Sequence, residues 1–410
     1  MTARPRVLFL SQCLPYPPHS GVVNRTYNIL GQLQVEFDVD LIPFTRVGHQ
    51  RDRAAREAAR DALRRIVAFV AEPTLIPSEH SRLRKVWDHL RGVLSKRAYT
   101  YYHYQSREFA MRLRVALRAY PPDLVHLDSL DFHGWLSELP QVPIACTHHD
   151  IESELLRLRS RHVNHVVLRR YMALQAARVE RLERELCGRF ALNVVMSEVD
   201  AQKLRALAPR AATVVVPNGT DTDYFKPNGT VSVAGRVAFI GPTYSHPNRD
   251  AVEFLLQEVW PRIRAVDGSA SMRLIGRNSP EDGARYNAEP GVTALGYQPD
   301  IRPELAAARC CIVPLRIGGG TRLKILDAWA MGKAVVSTSI GCEGLDAVDG
   351  ENILIRDTPD AIAGAVVQVL RDADLRAHLE RNGRRVATET YNWSVVGQRI
   401  RSAYRALLNR

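Results

Sequence analysis

The residues best suited to chemistry lie together in the run Arg316-Ile317-Gly318-Gly319-Gly320-Thr321-Arg322-Leu323-Lys324. Successive glycines let a backbone come close to a ligand. The free N–H groups at a helix start, at the positive end of its dipole, suit an anion such as a diphosphate. The pattern predicts a buried strand over 310–315, the glycines, a helix opening at Thr321 with that residue as its cap, and a second buried strand from 334. Arg322 and Lys324 would then stand in the first turn, where the dipole disfavours cations. A bound diphosphate would explain them; a capped connector with two solvated basic side chains is the alternative. Asp327 is three residues beyond Lys324 and shares its face. The two could form a surface salt bridge, or a cation for a diphosphate with a carboxylate for ribose hydroxyls.

The elements that must position these residues alternate almost from end to end. Short β-branched runs at 6–10, 39–43, 124–126, 142–147, 192–196 and 214–216 read as buried strands, separated by amphipathic helical patterns at 23–33, 53–70, 81–96, 107–120 and 152–189. A polar, turn-rich segment at 219–229 follows, and the pattern restarts with strands at 236–240, 272–275, 292–295, 310–313 and 334–337 and a helix from about 249 to 266. Such alternation predicts an α/β fold of two Rossmann-like, doubly wound parallel-sheet domains facing a cleft. The expected division is 1–222, with a basic helical segment at about 50–120; then 223–392; then a C-terminal helix at 393–410 returning to the first domain.

In such sheets ligands sit at the carboxyl ends of the strands. In the first half, Gly21 follows the first strand's loop and could bring N–H groups near a phosphate or sugar, or be a plain loop glycine. The 142–147 strand runs into His148-His149-Asp150. A histidine there can hydrogen-bond a substrate hydroxyl or handle a proton near neutral pH; the same residues could instead be a helix-capping cluster. In the second half, Gly241 follows the first strand, Asn248 and Arg249 open its helix, and Tyr297 after Gly296 could frame a base.

Composition bounds the rest. The chain has 410 residues, 46% hydrophobic and 24% charged, too long for one typical domain and rich enough for real cores. No run of 18 apolar residues is present, and the short apolar run after Arg6 reads as a first strand rather than a leader. Six scattered cysteines show no metal-ligand spacing and read as reduced, buried thiols of a cytosolic protein. The formal charge of +12 calls for a partner. Twelve Arg/Lys against six Asp/Glu fall in 51–97, and nine arginines in 155–190. Anionic lipid, lipid-linked phosphate or acidic polysaccharide could use such a surface. No stacking platform or nucleic-acid module is visible. Solvated helix faces in an arginine-rich chain are the alternative.

Together these pieces resemble the family 4 (group 1) glycosyltransferases of GT-B fold. The likeness runs along nearly the whole chain and is carried by Ser197-Glu198, by Val216-Pro217-Asn218-Gly219-Thr220-Asp221, which looks like the family's hinge, and by Gly318 to Gly344, which looks like members serving bacterial exopolysaccharide and exosortase-associated clusters. The resemblance implies a nucleotide-sugar donor, a glycan or lipid-linked acceptor, retention of anomeric configuration, and no metal or other cofactor. It would place Gly21 and the Gly318-Gly319-Gly320-Thr321 turn near the donor diphosphate. His149, or its neighbour His148, would stand beside the transferring sugar, and Arg249, Arg322 and Lys324 against the leaving diphosphate. Asp327 would hold the ribose. Two departures stand out: the family's first carboxylate falls at Gly319, and its Gly-Arg turn is Gly241-Pro242 here. The expected protein is cytoplasmic, docked by basic helices on the inner face of the membrane. A catalytically silent subunit, which the missing carboxylate keeps open, and a sugar-nucleotide epimerase, which would need more carboxylates, are the other readings.

Overall fold

The computed structural model describes residues 4–18, 21–46, 50, 52–161, 163–318 and 322–409. It divides into two compact units, Met1–Pro217 with Gly397–Arg410, and Asn218–Val396.

The first unit is built on strands β1 (Arg6–Ser11), β2 (Asp38–Thr45), β3 (Phe69–Val70), β4 (Thr74–Leu75), β5 (Leu124–Leu127), β6 (Ile144–His148), β7 (Leu192–Val195) and β8 (Thr213–Val215). Their order is β3-β2-β1-β5-β6-β7-β8, with β4 also on β2, and every pairing is parallel. Runs such as Val7-Leu8-Phe9-Leu10 are buried on both faces, as parallel strands covered by helices must be. The order reverses between β1 and β5, so the loops leaving those two strands diverge and open a crevice there. The helix Trp393–Leu408 ends in this unit, where Tyr404 is buried with its hydroxyl against His126 Nδ1 and Arg401 pairs with Glu36 at 3.1 Å.

The second unit carries β9 (Arg236–Ile240), β10 (Ser271–Ile275), β11 (Val292–Gly296), β12 (Cys310–Val313), β13 (Ala334–Ser337) and β14 (Leu354–Ile355), ordered β11-β10-β9-β12-β13-β14 and again parallel. Its switch point lies between β9 and β12. All six cysteines are buried and unpaired.

Several expected boundaries move. The helix expected over 53–70 ends at Leu63, because Phe69–Val70 extends to pair with β2. The pattern at 152–189 is two helices, Glu152–Arg161 and Val166–Leu186. They form a hairpin: Ser153 N–H donates to Glu183 Oε1 at 3.2 Å, and Arg157 pairs with Glu180. The helix expected from 249 starts at His246 with Pro247 in its first turn, and passes through a π turn at Leu255–Val259 just before Pro261, which has no N–H to give the ladder.

The helix that carries Lys324 runs Leu323–Ala330 and is fixed from behind. Trp329 on it is fully buried, donates Nε1–H to Asn352 O at 2.8 Å, and packs on Gly383 of the helix Ala373–Thr390. A Cβ at Gly383 would meet the Trp329 ring at 2.5 Å. Gly383→Ala is therefore expected to destabilise the second unit by about 1–3 kcal/mol through overpacking. Urea unfolding would show it as a lowered midpoint, and an unchanged midpoint would contradict this packing.

Candidate functional site

In the second unit, Gly241 leaves β9 with a φ of +155°, and a Cβ there would lie 2.8 Å from the Asn248 side chain. Only glycine fits such a turn. Asn248 donates Nδ2–H to Pro242 O at 3.1 Å, which fixes its amide, and its Oδ1 accepts from Lys324 Nζ at 2.7 Å. The same ammonium lies 4.6 Å over the Phe239 ring at the end of β9. The switch point thus brings together Gly241, Asn248 and Lys324, which are far apart in sequence.

Lys324 is half-buried, and no carboxylate of the described residues lies within ion-pairing distance of it. Burial, then the nearby Arg322 guanidinium, pull its pKa down to about 7. It is a cation held where charge is costly, with a neutral amide and an aromatic face for company. An incoming anion would relieve that cost. Asp327, one turn on, accepts from Thr220 Oγ1 at 2.8 Å; burial pushes its pKa up to about 7 against that hydrogen bond. The surface salt bridge between Lys324 and Asp327 that spacing allowed does not form.

The other expected residues fall elsewhere. Arg322 is nearly buried and donates to Ile340 O at 3.0 Å and to Gly318 O at 3.2 Å, so it braces the glycine turn. Gly318 has a φ of +130°. Arg322 stands at the helix cap rather than in the first turn, because its ψ of 72° is not helical. Gly319, Gly320 and Thr321, the rest of the expected anion turn, lie outside the described residues. Arg249 pairs with Asp282 at 2.9 Å and donates to Thr243 O at 3.2 Å. Tyr297 is exposed, with the Arg277 guanidinium 4.7 Å over its ring.

In the first unit, Gly21 is the exposed first residue of the helix Gly21–Leu33, with open space where a Cβ would stand. The two histidines separate. His148, the last residue of β6, is buried with Nε2 3.0 Å from Asn193 Oδ1 on β7, and burial pushes its pKa down to about 4. It is a neutral core histidine. His149 is nearly buried with Nε2 3.5 Å from Asp128 Oδ1. The other oxygen of Asp128 accepts from Thr26 Oγ1 at 2.9 Å and Ser11 Oγ at 3.2 Å. Ser11 ends β1 and Asp128 follows β5, so this carboxylate sits at the switch point beside the imidazole, whose Nε2 is buried without a hydrogen-bond partner among the described residues. Sequence reasoning missed Asp128; its place directly after a strand at the order reversal was the available signal. Nearby, Glu152 is half-buried, and burial followed by Asp131 and Asp150 raise its pKa to about 8, so at neutral pH it can donate a hydrogen bond.

Two doubly wound parallel units in one chain are the architecture of the GT-B fold. Residues 234–372 match the model described as glycosyl transferases group 1, and residues 99–224 match that of glycosyltransferase family 4. The chain belongs to this glycosyltransferase family and is an enzyme of that class. Among solved structures, the Anabaena protein Alr3699/HepE in complex with UDP is 16% identical with a TM-score of 0.66, covering 98% of this chain and 100% of that one. Sucrose-phosphate synthase from Thermosynechococcus elongatus is 18% identical with a TM-score of 0.68, covering 99% and 100%. TarM is 10% identical with a TM-score of 0.68, covering 100% and 99%. These likenesses show the GT-B fold. No curated protein matches the chain in sequence.

An anion bound beside Lys324 would raise its pKa from about 7, so binding takes up a proton above that pH. A diphosphate ester is therefore expected to bind progressively more weakly as pH rises from about 8 to 9, above the range in which its own phosphates titrate. Isothermal calorimetry across that range would show the slope, and Lys324→Met should flatten it. An equal slope in the variant would contradict the role given to Lys324.

Proposed function

We propose that this glycosyltransferase moves a sugar from a UDP- or GDP-sugar to a hydroxyl of a glycan or lipid-linked acceptor, with retention of anomeric configuration, in envelope or exopolysaccharide synthesis at the cytoplasmic face of the membrane. The observation that carries the donor reading is the Gly241–Asn248–Lys324 set at the second unit's switch point. As the bond between the anomeric carbon and the diphosphate oxygen breaks, negative charge builds on the leaving group. A cation pre-placed there stabilises that charge without reorganising. In this reading the chain's own cation does that work and no metal is required. Asp327, kept near its protonation point, would meet the ribose hydroxyls. His149, beside Asp128, would hydrogen-bond the transferring sugar while the acceptor oxygen bonds the anomeric carbon and gives its proton to the leaving diphosphate oxygen. That Alr3699/HepE, of the same GT-B fold, was solved with UDP supports a nucleotide-sugar donor.

The test is a thermal-shift screen of UDP, GDP, ADP and their sugar conjugates with EDTA present, followed by turnover of Lys324→Ala with the sugar nucleotide that stands out. One nucleotide should raise the melting point by mass action. The variant should lose about 10²–10³-fold in kcat, the size of an electrostatic contribution to a leaving group. No shift with any nucleotide would overturn the donor reading and favour a silent subunit; undiminished turnover in the variant would overturn the role given to Lys324.

A further inference from the structure

The helix Arg82–Leu94 of the first unit is built inside out. Its buried positions are Asp88 and Gly92. Asp88 pairs with Arg84 at 2.8 Å, Gly92 O accepts from Gln175 Nε2 at 3.2 Å, and His89 Nδ1 lies 2.5 Å from the Tyr171 hydroxyl. The polar face is thus the one that packs, against the helix Val166–Leu186. The apolar face points to solvent: Leu83 is 84% exposed, Trp87 50%, Leu90 46% and Leu94 82%. Those four recur at i, i+4, i+7 and i+11, a single stripe along the helix. At the start of the partner helix, Val166, Val167 and Leu168 are exposed as well.

Cations border this apolar surface. Arg82 and Arg91 flank the stripe on the helical wheel, Lys96 follows its end, and Arg169 and Arg170 are exposed on the partner helix just beyond Leu168; Lys85 is exposed on the opposite side of the helix. No carboxylate of the described residues pairs with Arg82, Lys85, Lys96, Arg169 or Arg170. By contrast, the arginines of 155–184 that drew attention in the sequence are partly spent within the hairpin: Arg157 and Arg184 on Glu180, Arg181 on Glu185 at 2.6 Å. An apolar centre with a uniformly basic rim would repel a second copy of itself and complements an anionic interface with an apolar layer beneath it.

We propose that the Leu83–Leu94 stripe, with the start of the Val166–Leu186 helix, is the surface by which this enzyme docks on an anionic lipid bilayer, the leucines and Trp87 entering the acyl boundary and the cations meeting the headgroups. Docking deepens the proposed function in one respect: it would present a lipid-linked acceptor to the first unit.

The chain carries its own reporter. Of its five tryptophans, Trp135, Trp260, Trp329 and Trp393 are buried, and Trp87 is the exposed one. The full-length protein would be sedimented with vesicles of phosphatidylcholine alone and of phosphatidylcholine with one-quarter phosphatidylglycerol. Fluorescence with brominated acyl chains would be recorded in parallel. Binding to the anionic vesicles, quenching of the emission that Trp87→Phe abolishes, and at least tenfold weaker binding by Leu83→Glu/Leu94→Glu are expected. Both glutamates fall at exposed positions, so the double variant should keep the parent melting point and nucleotide shift. Equal recovery with neutral and anionic vesicles, absence of quenching, undiminished binding by the double variant, or a dimer that the double variant dissociates would each overturn the proposal. Vesicle binding with no nucleotide shift would uphold docking while removing the donor reading.

Discussion

A lysine ammonium held half-buried between an amide oxygen and a phenyl face, with no carboxylate of the described residues in reach, is the interaction on which the second unit's organisation depends. Burial works against the charge, and the neighbouring Arg322 adds to the cost rather than relieving it. Folding tolerates this because the surrounding elements fix it: Gly241 allows the close turn that brings Asn248 in, Asn248 is held by Pro242 O, and Trp329 anchors the helix from behind. Such strain is more often found at sites of function than elsewhere, because an anionic ligand converts an unfavourable charge into a favourable pair.

The first unit answers the same architectural problem with a different group. Its switch point carries a buried carboxylate, and the serine and threonine that satisfy Asp128 come from the end of β1 and the helix after it. The remaining oxygen lies 3.5 Å from His149 Nε2, in a nearly buried imidazole. One parallel fold thus places a carboxylate-free lysine at one switch point and an imidazole beside a carboxylate at the other. The difference lies only in the residues placed at the carboxyl ends of the central strands.

The alternation of strand and helix was legible because buried parallel strands are short, continuous apolar runs, and runs such as Val7–Leu10 and Cys310–Val313 contain nothing else. The two-residue strands β3, β4 and β14 were not, since two residues carry no period. Gly241, Asn248 and Lys324 were each readable from their place at a strand end or helix start, but their convergence is a property of the sheet order. Asp128 escaped because its partners stand 102 and 117 residues away. Arg249 looked like a phosphate cation only until Asp282, 33 residues on, appeared beside it. Helical periodicity told that 82–94 is amphipathic; it could not tell which face the fold turns inward, and the usual expectation of apolar-in is reversed there.

The most direct measurement is an NMR titration of the Lys324 side-chain ammonium, with Lys324→Arg for assignment, in free and UDP-loaded protein. An ammonium that loses its proton near pH 7 when free, and at clearly higher pH with UDP bound, would establish an unneutralised cation awaiting a diphosphate. An ordinary lysine value in the free protein, or one that UDP leaves unmoved, would show that Lys324 does not serve the leaving group.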